Sequence, residues 1–82
     1  MKYPTKANWV KIYKSDSDEY DYVVHNNLTD KKYPFTSYEV DFLNQLDGKT
    51  DPMDIDTPIA KEDIEFFLNW CKGEYVTRKS RI

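Results

Sequence analysis

Alternation opens the chain and helical spacing closes it. From Asn8 to Lys14, Val10 and Ile12 fall on one face while Trp9, Lys11 and Tyr13 fall on the other. A period of two is that of a half-buried strand. The polar run Ser15-Asp16-Ser17-Asp18 reads as a turn, and Tyr20 to His25, rich in β-branched and aromatic residues, reads as a second strand. Asn26-Asn27 and Thr29-Asp30 mark another turn, after which Lys31 to Phe35 completes an antiparallel meander. Pro34 has no N–H for a ladder, so this third strand belongs at the sheet edge.

Helical signals begin at Thr36. Thr36 with Glu39 matches the capping box, Phe35 and Val40 are spaced as a hydrophobic staple, and Phe42, Leu43 and Leu46 form the inward stripe. Gly48 supplies a left-handed stop after a first helix that runs to about Leu46. Asp51-Pro52 has the form of an N-cap with Pro at the first helical position, predicting a very short second helix through about Ile55. Thr57-Pro58 repeats that signal for a third helix reaching about Lys72 and ending at Gly73. Glu74 to Lys79 is a further short extended segment, and the basic tail of Arg78, Lys79 and Arg81 reads as frayed. The fold class expected is therefore α+β, a winged helix-turn-helix in which a three-stranded antiparallel sheet is followed by three helices. The 82 residues make one domain with an ordered core from about residue 8 to 77.

On a helical wheel the third helix separates two stripes. Ala60, Ile64, Phe67, Leu68 and Cys71 follow a core spacing, whereas Asp63, Phe66 and Trp70 lie on an adjoining stripe. A broad core face would absorb the second stripe. A groove wall is the alternative, favoured by the area and N–H donor that Trp brings to binding sites.

Composition narrows the function classes. Aromatic residues make up 16% of the chain, enough to build a core from few residues, and the net charge is −3. That balance argues against a sequence-independent grip on nucleic acid. Six acids against one Lys between Asp51 and Glu65 argue equally against a DNA-reading helix, although the expected topology alone would suit one. The lone Cys71 excludes an internal disulfide and suits a reducing, cytoplasmic setting. No apolar run is long enough to span a bilayer, so no membrane partner is expected.

Catalytic patterns are missing, and the chain is not expected to be an enzyme. His25 and Cys71 are single, and a Cys–His pair would require a core helix face to meet a strand. One Cys and one His fall short of a zinc site. Asp51, Asp54 and Asp56 lack the Gly and the bidentate Glu of a calcium loop, and Gly48-Lys49-Thr50 lacks the upstream Gly of a phosphate loop. No metal and no cofactor is expected.

The stretch Phe42-Leu43-Asn44-Gln45-Leu46-Asp47-Gly48-Lys49-Thr50-Asp51-Pro52 resembles the core of PqqD-like domains, in which a helix ends in Leu-x-Gly before a short helix. Lys61-Glu62-Asp63-Ile64 through Trp70, then Gly73-Glu74-Tyr75-Val76, is similar to their acidic helix start, hydrophobic helix and closing turn. The likeness covers roughly Trp9 to Val76. It implies a recognition element that captures the leader segment of a ribosomally made precursor peptide. Such an element presents that leader to a peptide-modifying enzyme, notably a radical SAM maturase, separate or fused C-terminally. The leader would add as a strand beside the third helix, a mode in which backbone bonds give affinity and side-chain pockets give specificity. Carried onto this chain, the docking strand is Lys32, Tyr33, Pro34 and Phe35, and the helix wall is Asp63, Phe66, Phe67 and Trp70 with Ile59 near its mouth. The acidic helix face suggests a peptide with Lys or Arg near its apolar anchors. A general protein-interaction domain and a DNA-binding domain are the alternatives.

Overall fold

The computed structural model describes residues 3–77. Its elements are β1 (Thr5–Lys6), β2 (Val10–Lys14), β3 (Tyr22–Asn26), β4 (Lys31–Phe35), α1 (Ser37–Asn44), a 3-10 turn (Pro52–Asp54), α2 (Lys61–Cys71) and β5 (Val76–Thr77). Strands β2, β3 and β4 form an antiparallel sheet in that order, so β4 lies at an edge, as Pro34 requires. The registers Ile12↔Val24 and Val24↔Tyr33 fix which side chains share a face. Val10, Val24, Asn26 and Phe35 turn inward and are buried, while Lys11, Tyr13, His25 and Lys32 belong to the opposite face. The β3–β4 turn holds Asp30 at φ 61, a left-handed conformation that a short polar side chain tolerates.

The winged helix-turn-helix expected from the sequence is not what the chain builds. Two α-helices are present among the described residues instead of three, and a second sheet of two strands joins β1 to β5. The expected second helix contracts to one 3-10 turn. Asp51 caps it as anticipated, accepting the Met53 N–H at 2.9 Å, but Ile55 is already extended. Pro58 disfavours a helical Thr57, leaving too few residues between the two prolines to nucleate an α-helix. The Thr57 hydroxyl accepts the Ile59 N–H at 3.3 Å in a local turn, so the long helix begins at Lys61 with Ala60 as its N-cap. Ala60, expected on the core face, is exposed. The first helix also ends early, at Asn44, while Gly48 keeps its left-handed φ of 80 in the loop beyond. The basic tail lies outside the described residues.

The second sheet ties the chain's two ends together. Thr5 pairs with Thr77 and Lys6 with Val76, while Lys6 N–H donates to the Leu46 carbonyl at 3.2 Å on the other side. Asn26, 1% exposed, makes the second tie. Its amide donates to the Glu74 carbonyl at 2.8 Å and to the Glu74 carboxylate at 3.0 Å, and its Oδ1 accepts from the N–H groups of Leu28 and Thr29. The Trp9 indole N–H reaches the same Glu74 carbonyl at 3.0 Å. Between these ties Phe42, Leu43, Ile64 and Cys71 fill the core beneath Val24 and Phe35.

Candidate functional site

An aromatic-walled groove of about 680 Å³ runs between the free edge of β4 and the exposed flank of α2. Local sequence explains its position. Pleating sends Tyr33 and Phe35 to the α2 side of β4. The capping box then starts α1 immediately after the strand: Thr36 N–H donates to Glu39 at 2.8 Å, and Glu39 N–H returns to the Thr36 hydroxyl at 3.4 Å. That tight entry brings Tyr38 and Glu39 to the same wall. Opposite, the segment Pro58–Ala60 enters α2, whose one-turn spacing sets Asp63, Phe66, Phe67 and Trp70 along the groove.

The floor is a ring cluster. Trp70 lies edge-on to Tyr33 at 4.6 Å and stacks on Tyr75 at 5.8 Å, and Phe35 sits 5.7 Å from Phe67. These separations are those of favourable aromatic pairs. Phe66 contributes no ring pair to it. It is 76% exposed and Trp70 42% exposed, so neither belongs to the buried core. Of the core stripe read from the sequence, Ile64 and Cys71 are fully buried and Phe67 and Leu68 partly so.

Eight of the nine residues anticipated from the sequence line this one groove: Tyr33, Pro34, Phe35, Ile59, Asp63, Phe66, Phe67 and Trp70. Lys32 does not; the strand alternation turns it to the other face, opposite His25. Tyr38, Glu39, Pro58 and Ala60 line the groove without having been anticipated. The signal for the first two was present, because a capping box at Thr36 necessarily sends the first turn of α1 past the end of β4.

Three titratable groups among the described residues depart from their ordinary values. Burial pushes the Cys71 thiol up to about 12, and the Glu39 carboxylate adds to the shift, which keeps the thiol protonated and inert. Burial likewise raises the Tyr75 phenol, reinforced by the charge of Glu74. Asp47, far from the groove in the loop after α1, is held below the usual carboxylate range by the N–H groups of Lys49 and Thr50. His25 Nε2 lies 2.7 Å from Asp30 on the opposite sheet face, remote from Cys71 in the core. Among the described residues no cluster of three His, Cys, Asp or Glu side chains is placed to hold a metal ion, and no helix is long and apolar enough to cross a membrane.

Compared with protein-family models, curated proteins and solved structures, the chain matches none.

Proposed function

We propose that the chain is a peptide-binding module in which an extended segment adds to the open edge of β4 and sets apolar side chains into the groove against α2. The observation that carries this reading is the coincidence of three features at one place: an unpaired strand edge, a groove of about 680 Å³, and the exposed ring of Phe66. A guest strand paired along the five residues of β4 presents side chains to the groove at every second position, roughly 7 Å apart. That is the geometry of strand addition, in which main-chain bonds hold the guest and alternate side chains select it. Nucleic acid is a poorer occupant, because among the described residues no Lys or Arg lines the groove.

The peptide that the sequence resemblance nominates is the leader of a ribosomally made precursor, delivered to a modifying enzyme such as a radical SAM maturase. A module of this kind works by raising the local concentration of one partner near another, and needs no reactive group of its own. Binding of about −8 kcal/mol, in the micromolar range, is sufficient for that role and leaves the guest free to depart.

Selection of a displayed random-peptide library on the immobilised chain, followed by titration of an enriched peptide into isotope-labelled protein, tests the reading. The expected result is chemical-shift change at Tyr33, Phe35, Phe66 and Trp70 together with slower amide exchange along β4. Absence of enrichment, or shifts confined to the opposite sheet face around Tyr13 and His25, overturns it.

A further inference from the structure

The groove is electrostatically lopsided. Glu39 and Asp63 are its acids, and among the described residues no base lines it. Ring contacts fix the ends: Trp70 stands against Tyr33, and Phe67 against Phe35 and Phe42. Helix α2 therefore runs antiparallel to β4. Asp63, one turn before Phe67, lies beyond Phe35. Glu39 sits at that same end, in the first turn of α1 directly after β4. The other end of β4 carries Lys31 and Lys32, with Lys31 3.4 Å from Glu74. The Asp63 carboxylate takes part in no ion pair among the described residues. Lys61, the nearest base in sequence on α2, directs its Nζ to the Met53 carbonyl instead.

We infer that the peptide occupying the groove carries a Lys or Arg where it passes the Phe35 end of β4, with its cation between Glu39 and Asp63. The inference rests on the peptide reading above and adds the place of the charge and the register it sets. Apolar walls fix the guest's alternating anchors but do not distinguish its register. A single cation matched to one end does, because sliding the guest toward Lys31 takes that cation away from both acids. Specificity of this kind is set by one charged contact that only the correct register makes. Asp63 is exposed and Glu39 half-buried, so the pair contributes a modest two- to fivefold or so in affinity, and salt weakens it.

Each acid also has a local duty: Glu39 completes the capping box, and Asp63 is favourably placed in the first turn of α2. The test must remove charge without removing those duties. Gln replaces Glu in a capping box, so Glu39→Gln keeps the cap and loses the charge. Asp63→Asn is its companion. Random peptides displayed and selected on the wild-type chain should share a Lys or Arg at a fixed offset from alternating apolar positions. Selection on the Glu39→Gln/Asp63→Asn double variant should return the apolar pattern without the base. Replacing that base by Gln in one enriched peptide should weaken wild-type binding about two- to fivefold and leave the double variant's affinity unchanged. Should the double variant lose its far-ultraviolet dichroism, Glu39→Gln alone serves, with a smaller shift in the same direction. An apolar pattern without a fixed base, or an acid in its place, overturns the inference and leaves the peptide reading standing. No enrichment on wild type overturns both.

Discussion

Trp70→Ala is the substitution that most sharply tests how the groove floor is held. Trp70 is 42% exposed, so a little over half its surface is covered, chiefly by Tyr33, Phe35 and Tyr75. A large aromatic offers up to about 250 Å², which makes the covered part roughly 140 Å². At about 25 cal/mol per Å² that is about 3.5 kcal/mol. Residual compactness of the unfolded chain removes up to about 40% of such a figure, and the better helix propensity of Ala returns about 0.5 kcal/mol. The net loss expected is about 2 kcal/mol. Against a total stability of about 4–12 kcal/mol for a chain of this length, the variant remains folded. Its melting midpoint should fall by about 8–16 °C. Urea unfolding followed by far-ultraviolet dichroism measures this, with an unchanged slope against denaturant certifying that the same surface is exposed. A loss under about 0.5 kcal/mol would mean that the indole is not held among three rings. A variant that does not fold at all would mean that Trp70 is core, and the groove would lose its floor.

Phe66→Ala should behave differently, changing stability by under about 1 kcal/mol because the ring is 76% exposed, while abolishing detectable binding of a selected peptide. Unchanged affinity in an isothermal titration would remove Phe66 from the site. Asn26→Ala should cost about 2 kcal/mol in denaturant unfolding, since it strands the N–H groups of Leu28 and Thr29 and leaves the Glu74 carbonyl with the Trp9 indole alone. A loss below about 1 kcal/mol would show that water replaces the amide freely. Cys71 sets an alkaline limit. With the folded thiol near 12 and the ordinary value at 9.0, the unfolded chain releases its proton first, so this group's contribution to stability is retained below pH 9 and lost as pH rises from 9 to 12. The slope is about 1.4 kcal/mol per pH unit, and a Cys71→Ala chain that declines just as steeply would refute it.

The sheet and its edge were legible because each strand carried a local signature: alternation in β2, turn chemistry on both sides of β3, and Pro34 in β4. The first helix was legible from one capping box. The three-helix arrangement was misread for a reason equally local. Asp51-Pro52 and Thr57-Pro58 both have the form of helix starts, but the form does not say whether enough residues follow before the next proline. Strand β1 gave no signal, and β5 falls within the extended segment expected from Glu74 to Lys79, but nothing local announced that the two would pair. Each has two residues, and their pairing joins positions 5 and 77, so only tertiary closure creates it. The wheel separated the stripe of Asp63, Phe66 and Trp70 from the core but left Phe67 on the core side, whereas Pro58 and Ala60 entered the groove only because the helix started later than Thr57 suggested.

Where the chain departs from its own local rules is informative about function. Good helix caps are used at Thr36 and Asp51, and Asn26 is hydrogen-bonded on both sides of its amide group. Three departures gather around one feature. Pro34 interrupts a strand that any β-branched residue would serve better. Ala60 stands at an N-cap where a Ser or Asp would add about 1 kcal/mol, and no side chain caps the helix. Phe66 exposes a large ring on a helix face where Lys or Glu would be neutral for stability and better for solubility. All three line the groove. Departures do occur elsewhere, as at His25, whose buried Nδ1 has no hydrogen-bond partner among the described residues, and at Leu28, which is 70% exposed, but neither joins a groove. Sequences that are locally consistent except at one surface are consistent with selection acting on that surface for something other than stability. Restoring the rules at two of these positions, as Ala60→Asp with Phe66→Lys, should therefore raise the melting midpoint by several degrees while eliminating peptide binding. A doubly restored chain that gained stability and still bound its peptide with full affinity would break the link between the departures and the site.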